Sequence, residues 1–301
     1  GEFEDWILPA IINDYKKSLK ASLESDTARV SMLSRAFIAF EPWDRAIGTI
    51  QRMEKLTKKD VVRVAKKYFG KNYVAGFRRD APREIDHIEK PEITTIQIDP
   101  TRQSNFAQEI LAMPYTPMAP IYVDPDKDYR VVEDPLGFKL YYAENPINDL
   151  FSLRISIDFG AHQDNTISPA VMLLDKSGAG ELSPEDLKKE WYKLGTDFGI
   201  GAGDDETGIS LYGLDENFEA SLALMMEVMN RPTTDPDTLE EMKKIMLVQR
   251  EDAKKQGDSI SSALIQFNRY AEDSAFLRLL PEAQLRALTV DQLHEITRHL
   301  L

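Results

Sequence analysis

Residues 168–229, SPAVMLLDKSGAGELSPEDLKKEWYKLGTDFGIGAGDDETGISLYGLDENFEASLALMMEVM, decide the fold of this chain. An apolar helix is expected to open near Ser168, with Pro169 at its first position, where a missing N–H does no harm. A second helix is bounded on both sides. Ser183 and Asp186 form a capping box, Pro184 sits in the first turn, and Gly195 closes a stripe of Leu187, Trp191 and Leu194. TDFGIGAG and ETGISLYGL then alternate like two strands of a hairpin turning at Asp204 and Asp205. Phe218, Leu222, Met225 and Met229 recur at helical spacing after it.

Upstream, KLYYAEN and FSLRISIDFG alternate as further strands, and downstream the periodicity predicts helices over about 236–255, 259–272 and 290–300. Strands clustered in sequence and flanked by helices indicate an α+β domain, a mainly antiparallel sheet covered by helices, over residues 131–301. Residues 86–130 change character. Prolines at 91, 100, 114, 117, 120 and 125 punctuate this stretch, which predicts an extended inter-domain linker, with FAQEILAM able to form one short helix. Residues 1–85 read as helices, with Pro9 marking a helix start or a kink and Pro42 separating later segments, ending in a capped helix (Thr57 with Asp60, stopped at Gly70) and a strand, NYVAGFRR. LTKKDVV at Leu56–Val62 and LTVDQLHEI at Leu288–Ile296 both open a capped helix, an internal echo. No strand follows the second before Leu301, so an excised portion of a longer polypeptide is expected.

The chain has 301 residues, 42% hydrophobic and 29% charged, with a net charge of −14. This balance fits a soluble globular protein and argues against nucleic-acid binding, which needs clustered cations. The cation-rich stretch from Lys58 to Arg83 places its charges between apolar residues at helical spacing, as a solvated helix face does. No run is long enough to span a membrane, and the start lacks the pattern of a signal peptide. If a signal peptide was removed upstream, the periplasm or cell envelope is open to it; the compartment is otherwise unassigned. There is no cysteine, which excludes disulfides and thiolate metal sites.

The segment opened at Ser168, together with LTKKDVVRVAKKYFGKNYVAGFRRD, resembles the pitrilysin (insulinase) family of zinc metallopeptidases. Active domains of that family carry H-x-x-E-H on a helix, two His for zinc and a Glu that activates water. The matching positions here are Val171, Leu174 and Asp175, so neither zinc nor the general base can be held in that geometry. The resemblance implies the end of one domain, a linker and a zinc-less domain of the second half, in a clamshell that encloses an unfolded peptide. It further implies that this chain has no catalytic residue or cofactor of its own, and that zinc belongs to the absent half. Expected partners are a peptide substrate and the other domains of the polypeptide. The strand comparable with Gly199, Ile200, Gly201, Ala202 and Gly203 binds substrate in active domains, so these residues are the candidate peptide-facing edge. An unpaired sheet edge would also permit pairing with a second copy. The alternative is a structural or peptide-binding subunit from an inactive member of the family.

Other chemistry finds little support. His294, Glu295 and His299 are spaced H-E-x-x-x-H, which turns the two rings about 140° apart on a helix, so they are expected as surface histidines. His87 and His162 stand alone in the linker and in a loop. Asp204, Asp205 and Glu206 are expected as a turn, with a hard-cation site as the outside alternative, abolished by Asp205→Asn. The glycines of GIGAG lack the following helix of a phosphate loop, no serine sits in a G-x-S-x-G elbow, and Met225, Met226 and Met229 are expected as core filling.

Overall fold

The computed structural model describes residues 3–79, 89–97, 99–135 and 137–301. The chain forms two compact units, Gly1–Tyr68 with Asn145–Leu301, and Phe69–Glu144. The domain boundaries expected from sequence are at 85 and 130. The first of these, with His87, lies outside the described residues.

The first unit begins with helices α1 (Ile7–Leu23), α2 (Asp26–Ile38), α3 (Trp43–Ile47), α4 (Thr49–Met53) and α5 (Lys58–Tyr68). Pro42 stands between α2 and α3, and the Thr57 cap of α5 has the geometry expected of it. Thr57 N–H donates to Asp60 Oδ2 at 3.1 Å, and Asp60 N–H returns to Thr57 Oγ1 at 3.4 Å. In the second unit, the strand expected at NYVAGFRR is not formed: residues 72–79 carry no ladder, and Val74 is fully exposed. Alternation favours a strand only where a neighbour pairs with it, and none does so among the described residues. The expected short helix is present as α6 (Asn105–Leu111), capped by Ser104, whose Oγ accepts from Ala107 N–H at 3.1 Å. An antiparallel hairpin, β1 (Arg130–Glu133) and β2 (Lys139–Tyr142), completes that unit.

The rest of the first unit is built in order from β3 (Leu150–Ile157), α7 (Ile167–Leu174), β4 (Gly178–Ala179), α8 (Pro184–Leu194), β5 (Asp197–Ala202) and β6 (Thr207–Leu214). α9 (Phe218–Asn230), β7 (Pro232–Thr233), α10 (Pro236–Ala253), α11 (Gly257–Tyr270), α12 (Glu282–Ala287) and α13 (Val290–Arg298) follow. The main sheet is antiparallel in the order β3-β6-β5, with Ile155 opposite Ile209 and Ile200 opposite the same residue. Its caps follow the sequence. Ser183 Oγ accepts from Asp186 N–H at 3.1 Å, and Gly195 takes the left-handed conformation, φ 61°, that ends α8. α7 begins one residue before Ser168, leaving Pro169 in the third position, where its missing N–H is still harmless.

Alternation along the strands divides the sheet. Leu153, Ile155, Phe198, Ile200, Ile209 and Leu211 face the helices, where they pack with Leu174, Leu187, Met225 and Met229. Trp191 of α8 stacks on Phe198 at 5.3 Å, and Phe151 meets Phe218 edge to face at 4.9 Å. A second cluster joins Ala170 and Leu173 of α7 to Leu239 and Met242 of α10 and Leu293 of α13. α7 therefore contributes to both clusters, and it is apolar nearly all round because it is buried nearly all round.

Candidate functional site

Val171 and Leu174 lie inside the protein, 6% and 2% exposed, while Asp175 caps the C-terminus of α7 on the surface. Two side chains without donor atoms and one carboxylate do not fit a zinc ion. The packing adds a second obstacle, since Leu174 fills the core between the sheet and α9. Among the described residues, no group of three or more His, Asp or Glu side chains is placed to hold a metal.

The polar groups behind α7 correct one expectation. His294 is not a surface residue but 3% exposed, with Leu293 and Thr297 buried beside it on α13. Its Nε2 lies 2.9 Å from Thr234 Oγ1, which lies 2.5 Å from Ser177 Oγ, which donates to the Leu173 carbonyl at 2.7 Å. One donor direction satisfies the whole chain: Nε2–H to Thr234, Thr234 to Ser177, Ser177 to the end of α7. Burial holds the imidazole below its ordinary pKa, with Arg298 adding to the effect and Asp291 opposing it. The apolar period of α13 made His294 look peripheral, and only the hydroxyls of two distant segments make its burial tolerable. His299 points elsewhere, exposed and 3.9 Å from Glu295.

β5 forms one edge of the sheet, paired on one side with β6 and on the other with no strand among the described residues. Gly199, Ile200, Gly201 and Ala202 belong to it, and Gly203 begins the turn. Ile200 faces the core. Gly199 and Gly201 face away from it, in register with Ser210 and Gly208 of β6 and, beyond them, with Arg154 and Ser156 of β3. This outward face is thus a floor of glycine and serine, low enough for another backbone to approach. At Gly201 a methyl group would meet nothing within 4 Å among the described residues, so none of them requires glycine there.

The rim of that floor is charged. Glu206 accepts from Arg154 Nη2 and from Ser156 Oγ, both at 2.9 Å, and these bonds hold its carboxyl below the usual range. The other acids of the turn are also engaged by neighbours. Asp205 bonds His162 Nδ1, whose Nε2 accepts from Arg278, while the Asp204 carbonyl accepts from His162 N–H at 2.8 Å. His162 is therefore not alone, and the turn is fixed from two sides. Gly160 permits this crossing, because a methyl group there would come within 2.5 Å of the Asp204 carbonyl oxygen. The alternation of RISI in β3 places Arg154 and Ser156 on one face, and this was the available signal for them.

No family model matches the chain, and no curated protein sequence matches it either. Solved structures do. The inactive domain of a peptidase M16 from Pseudomonas fluorescens is 23% identical, with a TM-score of 0.50 over 56% of this chain and 42% of that one. The ferredoxin protease FusC, solved in complex with Arabidopsis ferredoxin, is 12% identical, with a TM-score of 0.51 over 97% of this chain and 37% of that one. The periplasmic protease PqqL from Escherichia coli is 15% identical, with a TM-score of 0.51 over 98% and 36%. At these identities the likeness is one of fold: the chain has the pitrilysin-like α+β fold of M16 peptidase domains. It spans between 36% and 42% of the length of those structures.

Proposed function

We propose that this chain is a non-catalytic portion of a pitrilysin-type zinc metalloendopeptidase, and that it holds an extended peptide along β5. The observation that carries this reading is the free edge of β5 beside a glycine and serine floor, with open space at Gly201. A peptide added there gains main-chain hydrogen bonds without selecting strongly for side chains, as suits a handler of unfolded chains. Hydrolysis belongs to the remainder of the polypeptide, since Val171, Leu174 and Asp175 supply neither a zinc site nor a base. The resemblance to an inactive M16 domain supports the same division of labour.

The test has two readouts on the intact chain. A fluorescein-labelled unstructured peptide should raise its anisotropy on titration, with Gly201→Val weakening the binding. Mass spectrometry should find the peptide intact after incubation with added zinc. No binding up to about 1 mM, or cleavage by the purified chain, would sink the proposal. The alternative, a peptide-binding subunit whose whole polypeptide is inactive, differs only upstream: H-x-x-E-H is then missing from the full sequence as well.

A further inference from the structure

A glycine-rich edge fixes the register of an added strand only weakly, because the same main-chain bonds recur at every second residue. The outward face beside β5 is not uniform, however. At Gly199 a methyl group would come within 2.9 Å of Ser210 Oγ, so a hydroxyl already fills that level. Two residues on, Gly201 pairs with Gly208, and a methyl group at Gly201 would meet nothing within 4 Å among the described residues. The far wall stands at Gly208, where Arg154 Nη2 and Glu206 Oε1 each lie 3.8 Å from the place a Cβ would take. Two glycines side by side thus leave one slot, open at the sheet edge and closed inward by an ion pair.

Resting on the reading that a peptide lies along β5, we infer that this slot takes one aromatic side chain of that peptide, its ring over Gly201 and against the Arg154 guanidinium. The reach is right. Neighbouring strands lie about 4.8 Å apart, which puts Gly208 about 10 Å from an added backbone, so a tyrosine or phenylalanine leaning inward covers Gly201 and meets the cation. Glycine lets a ring lie on the sheet with no Cβ to hold it off, and a guanidinium attracts the ring face. Arg154 is also held in advance. Its Nη2 donates to Glu206 Oε1 at 2.9 Å, and Ser156 Oγ donates to the same oxygen at 2.9 Å, which leaves little ordering entropy to lose on binding. The Arg154 side chain is 71% exposed, so a ring reaches it without displacing any packed group. An aliphatic side chain fills the slot but lacks the attraction to the cation. An acidic one gains little, because Glu206 already neutralises Arg154 and the chain carries −14. One aromatic residue thus sets the frame of a strand whose other positions stay unselected.

Anisotropy titrations of the intact chain with three labelled peptides test this. The peptides share one unstructured sequence and differ at a single central residue, tyrosine, leucine or alanine. The tyrosine peptide should bind about tenfold more tightly than the alanine peptide, with leucine between them. Gly201→Val, which fills the slot, should bring the three affinities together. Arg154→Met, which keeps an apolar stem and removes the cation, should bring tyrosine down to leucine. Circular dichroism checks that both variants fold, and each reads the slot independently of the other. Equal affinities for the tyrosine and alanine peptides in the wild-type chain overturn the inference and leave the peptide-binding edge standing. No binding of any of the three up to about 1 mM overturns both. A tyrosine preference that survives either substitution overturns the inference as well, since the ring then sits elsewhere.

Discussion

Lys17 of α1 donates to both carboxylate oxygens of Asp197, 2.8 Å to each, across 180 residues of sequence. The lysine is 5% exposed and also meets Asp14 at 3.2 Å, whereas Asp197, the first residue of β5, is largely open. The N-terminal helices are thus tied to the start of the candidate edge strand. Asp197→Ala leaves the buried ammonium with one weaker partner, and a loss of about 1–2 kcal/mol is expected in urea denaturation. An unshifted midpoint would show that the pair contributes nothing.

Gly201→Val separates folding from binding. The side chain has room, and valine suits a strand better than glycine, so stability should hold within about 0.5 kcal/mol or rise. Peptide affinity measured by anisotropy should fall, because the added methyl groups raise the outward face of β5 beside the side chains of an added strand. Equal loss of stability and binding would point to a distorted hairpin instead.

Leu174→Glu examines the vacant motif from the other side. A carboxylate placed at a 2% exposed position against Met225 and Leu211 has no cation to meet, and a loss of more than about 3 kcal/mol is expected. The triple change Val171→His, Leu174→Glu, Asp175→His should therefore fail to fold without zinc. Thermal melts with and without the metal check this directly.

Stability should depend on pH through His294. The unfolded chain takes up the proton near pH 6.5, and the folded chain only at lower pH, because burial disfavours the charged ring. The contribution of His294 is complete above about pH 7 and is lost as acid passes 6.5 toward the lower folded value. His294→Gln, which keeps an N–H for Thr234, should flatten the decline between about pH 7 and pH 5. Denaturant midpoints across that range decide it, and an unchanged slope would exonerate the histidine.

Local signals carried much of the architecture. Ser183, Gly195, Thr57 and Thr289 mark helix ends by chemistry confined to a few neighbouring residues, and each cap forms with the expected geometry. What escaped notice depends on partners far away in sequence. NYVAGFRR alternates like a strand yet finds no neighbour among the described residues, and His294 is buried by hydroxyls about 60 and 117 residues distant. At the candidate edge, the glycines were legible as glycines. Their direction, away from the core and toward Ser210 and Arg154, required the register of three strands.

The burial of α7 works as a ratchet. In a helix that lines an open cleft, a first histidine could be gained at little penalty and give weak metal binding for selection to improve. Here only the change at Asp175 lies at the surface; those at Val171 and Leu174 must break a packed interior, so a lone surface histidine gains no second ligand without loss of the core. A designer seeking zinc chemistry in this fold would do better to begin at the solvent-facing floor of the sheet than at α7.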